Sequence, residues 1–336
     1  MGRIGLIDIG SKIGNLALMK LSTYHKGLGD TVVLDPSSPN GFDRVYVSTL
    51  FTRDRVRVER LLEGYRETEF VVGGSGWDVH AKLPDDIEQL NPDYEIYTVG
   101  NIYKRLGGPM RKATKMAKAQ EIATAGIGFT SRGCTRLCPF CLVWRKEGDF
   151  HKVREIKDLI NPKSSRVFIL DNNFTADPDV IEKLKEIKER KLTVEISQGI
   201  DIRTITPDIA QAISEVSLYG RRLHYAWDLL SFENQVLKGI KILSRFVNTG
   251  RHRCFMLCGY NTSFEEDWYR FRKLIELGVK PYVMLYENDK TDARRFHFMS
   301  WINGFYFTVC DFNDYGPWVS VRDSYFGLAE QKLFAA

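Results

Sequence analysis

Apolar and polar positions along the chain alternate between two periods. Residues 3–9 form a short, nearly continuous apolar run, which predicts a strand buried on both faces. Leu16-Ala17-Leu18-Met19-Lys20-Leu21 opens a helical stretch that Gly27 and Gly29 close. Strands are predicted at 31–34, 44–48 and 69–72, and a helix at 56–64. Strands separated by helices predict a parallel sheet with helices on both faces, a Rossmann-like (flavodoxin-like) α/β domain placed at 1–105. A second series follows. Strands are predicted at 126–130, 167–171, 192–197, 223–227, 254–259 and 282–286. The helices between them are predicted at 153–160, 179–188, 208–216, 234–246 and 265–277. Six βα units over 123–290 are too few for an eight-fold barrel and predict a partial, TIM-like (βα)6 barrel. Chemistry in such a barrel sits at the carboxyl ends of the strands. That places 131–141, 171–174, 198–203, Asp228, 259–261 and Glu287 at the mouth.

Two segments fall outside these repeats. Residues 106–122 read as a basic linker within a run that starts just ahead of it: Lys104, Arg105, Arg111, Lys112, Lys115 and Lys118 occur with no acid between them. Residues 291–336 form an aromatic-rich extension, with Phe296, Phe298, Trp301, Phe305, Tyr306, Phe307, Tyr315 and Trp318, expected to pack on the barrel.

Composition narrows the class. The 336 residues are 43% hydrophobic and 27% charged, which excludes bulk disorder. No apolar run reaches 18 residues, so no membrane role is expected. Net charge is +5, and Arg53, Arg55, Arg57 and Arg60 crowd the predicted helix at 56–64 and the residues just before it, so an anionic substrate is worth testing. Met1-Gly2-Arg3-Ile4-Gly5-Leu6-Ile7-Asp8 shows neither the apolar run nor the cleavage site of a signal peptide. Three of the six cysteines lie within eight residues, a pattern of metal binding or catalysis rather than disulfides. The expected compartment is the reducing cytoplasm.

Cys134, Cys138 and Cys141 form C-x3-C-x2-C on the loop after the first barrel strand. Thiolates select zinc, Cu(I) or iron–sulfur centres. Three ligands on one loop leave a metal position open, as catalysis requires. With His151 as a fourth ligand the same cysteines would instead make a zinc-binding structural or nucleic-acid-binding module. Cys254 and Cys258 lie in a predicted strand, ~13 Å apart along it, and read as buried apolar residues rather than a second centre.

The cysteine spacing and its place after the first strand resemble the radical S-adenosylmethionine superfamily over 125–290. That resemblance implies a [4Fe–4S] cluster held by the three cysteines, with S-adenosylmethionine on the open iron. It implies reductive cleavage to a 5′-deoxyadenosyl radical, hydrogen abstraction from a substrate, and a one-electron donor such as flavodoxin or ferredoxin. It carries further residues with it. Phe140 fills the aromatic slot beside cluster and adenine. Asp171 or Asn173 would accept from the methionine ammonium, although Asp171-Asn172-Asn173-Phe174 departs from the family's Gly-Gly-Glu. Gln198 and Arg203 follow the third strand, where Arg203 suits the methionine carboxylate. Asp228 would hold ribose hydroxyls, and Gly259 belongs to the adenine segment Met256-Leu257-Cys258-Gly259-Tyr260.

The first domain resembles the cobalamin-dependent branch of that superfamily, through residues 8–26 and Gly73-Gly74-Ser75-Gly76. Gly10 and Ile13 stand where that branch's Asp-x-His-x-x-Gly has His and Gly, so cobalt ligation by a histidine is not expected. Cobalamin is a candidate cofactor through the glycine run alone; an ordinary tight turn is the alternative. The whole pattern resembles radical enzymes of bacteria and their phages, a likeness that supplies no substrate.

Overall fold

A computed structural model describes residues 1–333. The chain is a mixed α/β protein with parallel sheets, and it divides into two compact units. The first holds 1–172 and 189–195; the second holds 173–188 and 196 onward.

The first unit begins with β1 (Arg3–Ile9), α1 (Leu16–Gly27), β2 (Thr31–Leu34), β3 (Arg44–Thr49), α2 (Arg55–Gly64) and β4 (Phe70–Gly73). These strands form one sheet in the order β2-β1-β3-β4, every pair parallel. Strand order reverses between β1 and β3, so a crevice is expected beyond their carboxyl ends. Asn15 starts α1 by accepting the Leu18 N–H at 3.3 Å. Three helices follow: α3 (Asp85–Glu88), α4 (Val99–Arg105) and α5 (Lys112–Thr124). The segment expected as a linker is therefore largely helical, and Ala119 and Ile122 of α5 are buried. Ile4, Leu6, Leu18, Ile102, Ile127 and Phe168 belong to one core.

Next come β5 (Gly126–Gly128), β6 (Ser131–Arg132), α6 (Val143–Lys146), β7 (His151–Lys152) and β8 (Arg166–Ile169). Strands β5 and β8 pair in parallel, while β6 and β7 form a short antiparallel hairpin. The helix predicted at 153–160 is instead a 3-10 turn at Ile156–Leu159. Only Ile156 and Leu159 are buried there, and their spacing of three suits the tighter helix. Glu155 and Asp158 cap it reciprocally, and Pro162 prevents extension.

In the remaining chain, α7 (Val180–Glu189) leads to β9 (Thr193–Ile196), then α8 (Pro207–Ser214) and β10 (Ser217–Leu218). The second unit continues with β11 (Leu223–Ala226), α9 (Glu233–Leu243), β12 (His252–Cys258), α10 (Phe264–Glu276) and β13 (Lys280–Leu285). Pro207 stands in the first turn of α8, and Ser263 with Glu266 forms a capping box on α10. Strands β11, β12 and β13 make a three-stranded parallel sheet, and one isolated parallel bridge joins Ile200 to Tyr225. The chain then forms α11 (Ala293–Asn303) and α12 (Gly316–Leu333). Aromatic rings of α11 pack on α10, where Trp301 stacks on Trp268 at 5.8 Å; Phe298 of α11 is buried, as is Trp318 of α12, which stacks on Phe312 at 5.3 Å. Among the described residues, no helix is long and apolar enough to cross a membrane.

Candidate functional site

The cysteine loop spans the gap between β6 and α6, inside the 133–150 segment that the β6–β7 hairpin closes. Gly133 begins it in a left-handed conformation (φ +74°), where an added Cβ would lie 2.1 Å from the Asp149 carbonyl oxygen. Only glycine fits that approach. The Gly133 N–H donates to Asn172 Oδ1 at 3.0 Å, and the Cys134 N–H to the Gly148 carbonyl at 3.4 Å. Within the loop the Cys141 N–H donates to the Cys138 carbonyl at 2.9 Å, and Trp144 Nε1 donates to that carbonyl at 3.1 Å.

All three thiols are half-exposed. The Arg136 N–H points at Cys134 Sγ (3.4 Å) and the Val143 N–H at Cys141 Sγ (3.5 Å). Backbone N–H groups aimed at sulfur are the outer contacts that tune a thiolate-held centre, so the donor set suits an iron–sulfur cluster chemically. Among the described residues, no group of three His, Cys, Asp or Glu side chains is gathered as around a metal ion. His151, the candidate fourth zinc ligand, lies opposite Arg132 in the hairpin, with its Nδ1 2.9 Å from the Asp149 carbonyl oxygen. Phe140 is half-buried in the same loop.

Charged pairs fasten this loop's flanks within the first unit. Arg132, just ahead of Gly133, pairs with Glu88 (2.7 Å) and Glu147 (3.1 Å), and Glu88 also pairs with buried Lys20 (2.8 Å). Burial lowers the Lys20 pKa, against the pull of the Glu88 hydrogen bond. Lys146 Nζ reaches Ser75 Oγ at 2.9 Å.

Asp171 is fully buried. It accepts the Thr130 N–H at 2.6 Å, the Ser131 hydroxyl at 2.8 Å and the Thr130 hydroxyl. Its carboxylate thus anchors the backbone that delivers the cysteines. Asn172, which the sequence places at the mouth without a role of its own, holds the loop's first residue.

The other candidates lie in the second unit. Asn173 is buried and accepts from the Thr175 hydroxyl at 3.3 Å. Gln198 is exposed in the turn after β9. Arg203 grips Asp201 through Nε (2.7 Å) and one terminal nitrogen (3.0 Å), and lies 4.6 Å from the Phe232 ring centre. Asp228 follows β11 and accepts the Leu257 N–H at 3.2 Å. Burial raises its pKa from 3.8 to about 6, against the Leu257 N–H and the charges of Arg270 and Arg203. Gly259 follows β12 with φ +87° and donates its N–H to Thr262 Oγ1 at 3.2 Å.

Arg270 is the residue in this unit that sequence reasoning missed. Its guanidinium is wholly buried and donates to the carbonyls of Trp227 (2.5 Å), Asp228 (2.7 Å) and Leu257 (2.8 Å), and to Asp267 (2.6 Å). It ties together the carboxyl ends of β11 and β12. Asp267 is held in turn by Arg295 at 2.8 Å. The spacing of Asp267 and Arg270 on one helix was the only available signal.

Cys254 and Cys258 are buried, and burial pushes both thiols up. In the first unit Asp8 is buried at the end of β1, held by Tyr97 (2.7 Å) and Arg105 (2.9 Å), and burial raises its pKa despite Arg105. An added Cβ at Gly74 would meet the Thr49 carbonyl oxygen at 2.3 Å, and one at Gly76 the Phe51 backbone at 2.5 Å. Gly74 and Gly76 thus accommodate the chain's own backbone, while Gly73 has open space beside it.

No protein-family model matches this chain, and no curated protein sequence matches it. A solved structure of SuiB from Streptococcus suis, bound to the precursor peptide SuiA, is similar at 12% identity and a TM-score of 0.39. The match covers 76% of this chain and 59% of that one, so the chain spans about three fifths of that structure's length.

Proposed function

We propose that this chain is a radical S-adenosylmethionine enzyme. The observation that carries the reading is the C-x3-C-x2-C loop: three half-exposed cysteines on one loop, two of them with backbone N–H groups aimed at sulfur. Cys134, Cys138 and Cys141 would hold a [4Fe–4S] cluster that, with S-adenosylmethionine, supplies one-electron cleavage and hydrogen abstraction. Asp171 and Asn172 fix the loop, and Gly133 lets it turn. In the second unit Arg270 sets the ends of β11 and β12, which orients Asp228 for ribose hydroxyls. The resemblance implies further S-adenosylmethionine contacts at Phe140 in the first unit and at Asn173, Gln198, Arg203 and Gly259 in the second, where Arg203 already holds Asp201. A flavodoxin or ferredoxin would supply the electron. No step is assigned to cobalamin.

Anaerobic reconstitution with iron and sulfide, then reduction with dithionite in the presence of S-adenosylmethionine, tests the reading. The expected result is an absorbance shoulder near ~400 nm together with 5′-deoxyadenosine. Replacing all three cysteines with Ala should remove both. A cluster retained in that variant, or stoichiometric zinc without sulfide in anaerobically purified protein, overturns the proposal.

A further inference from the structure

One face of the β11-β12-β13 sheet is left partly exposed along β13, although parallel sheets normally have both faces covered. Side chains alternate with the pleat. Tyr225, Cys254, Met256 and Val283 are buried on the face against which α10 and α11 pack. The opposite face carries His224, Arg253, Phe255, Lys280, Tyr282 and Met284, and Tyr282 and Met284 are each 44% exposed.

Strand register sorts this face into rows. His224, Arg253 and Lys280 form one row, and Ala226, Phe255 and Tyr282 the next. Leu257 and Met284 form a third. Successive rows are ~6.6 Å apart. The His224 ring stacks on Phe255 at 5.6 Å and 20°, and Tyr282 meets Phe255 edge-on at 5.5 Å. The result is an aromatic platform with cations along its lower edge.

Those cations lack counter-charges. Arg222, immediately before β11, joins Arg253 and Lys280 there, and among the described residues none of the three pairs with a carboxylate. Burial, then the charge of Arg222, lowers the Arg253 pKa; burial, then Arg222 and Arg253, lowers that of His224. Uncompensated like charges beside an apolar wall focus a positive potential that an anion relieves. An aromatic platform adds stacking for a planar ring.

The geometry points to a nucleotide-binding face: the base lies on the Phe255–Tyr282 row, the phosphate lies one row below at Arg222, Arg253 and Lys280, and the ribose spans the step. This orientation turns the base toward the carboxyl ends of the strands. The inference deepens the radical-enzyme reading by naming its substrate class as a nucleotide, and it rests on that reading only for the role of substrate.

Equilibrium dialysis of the full-length protein, without cluster reconstitution, tests it against AMP, GMP, CMP and UMP. At least one monophosphate should bind, with its nucleoside and inorganic phosphate each about tenfold weaker or worse. Arg253→Ala and Lys280→Ala should each weaken binding about tenfold, and Tyr282→Leu several-fold. Lys280 and Tyr282 are exposed, so those two variants keep the test valid if Arg253→Ala fails to fold. Binding of none of the four, binding unchanged in the Lys280 and Tyr282 variants, or binding of a single-stranded hexaribonucleotide alone overturns the inference. Dialysis needs no cluster. Nucleotide binding without 5′-deoxyadenosine formation would sink only the enzyme reading, and the reverse result only this one.

Discussion

Asp228→Asn isolates the cost of holding a carboxylate at the end of β11. Burial raises the Asp228 pKa from 3.8 to about 6, against an N–H bond from Leu257 and the charges of Arg270 and Arg203. The folded chain therefore keeps a proton that the unfolded chain releases near 3.8. Between these values the folded state binds more protons, so this group's contribution to stability falls as pH rises and levels off above about 6. The shift is about two units, at about 1.4 kcal/mol each, or about 3 kcal/mol at neutral pH. Asparagine keeps an oxygen for the Leu257 N–H and carries no charge. The variant should match the parent at about pH 3, below both values, and exceed it by up to about 3 kcal/mol at about pH 7.5. Urea unfolding followed by tryptophan fluorescence at several pH values reads the difference directly. Parallel curves for parent and variant across that window would refute the assigned burial cost. If Asp228 also holds ribose, the more stable variant should bind S-adenosylmethionine more weakly.

Two other substitutions probe the groups that set the site. Arg270→Met removes four buried donor contacts, leaving Asp267 and three strand-end carbonyls short of a partner; it should cost about 3–5 kcal/mol in urea unfolding, and a loss under about 1 kcal/mol would remove Arg270 from its clamping role. Asn172→Ala leaves the Gly133 N–H without its acceptor. It should cost about 1 kcal/mol and lower iron retention after reconstitution, and full retention would show that the loop needs no such tether.

Strands were the most legible part of the chain. Continuous apolar runs marked β8, β9, β11, β12 and β13 to within about two residues, because burial on one or both faces leaves few other places for Val, Ile and Leu. The segment at 153–160 misled because Ile156 and Leu159 satisfy a helical and a 3-10 spacing alike. The cysteine triplet is legible as a motif because its three residues share one loop, although among the described residues they are not gathered as around a metal ion.

Side chains at strand ends are a different matter. Periodicity gives their position, but their work depends on what the fold brings opposite. Asp171 was marked as an ammonium acceptor, yet its partners Thr130 and Ser131 stand some forty residues earlier in the chain. Arg203 was marked for a carboxylate, and the carboxylate it holds belongs to Asp201, two residues away. Arg270 was invisible because a helical arginine is ordinarily a solvated one; only the convergence of the ends of β11 and β12 turns it inward. The same reasoning explains the aromatic and cationic rows. His224, Phe255 and Tyr282 are far apart in sequence and meet only through strand register. A binding face made by register leaves no motif, so its chemistry must be read from which charges the fold leaves without partners.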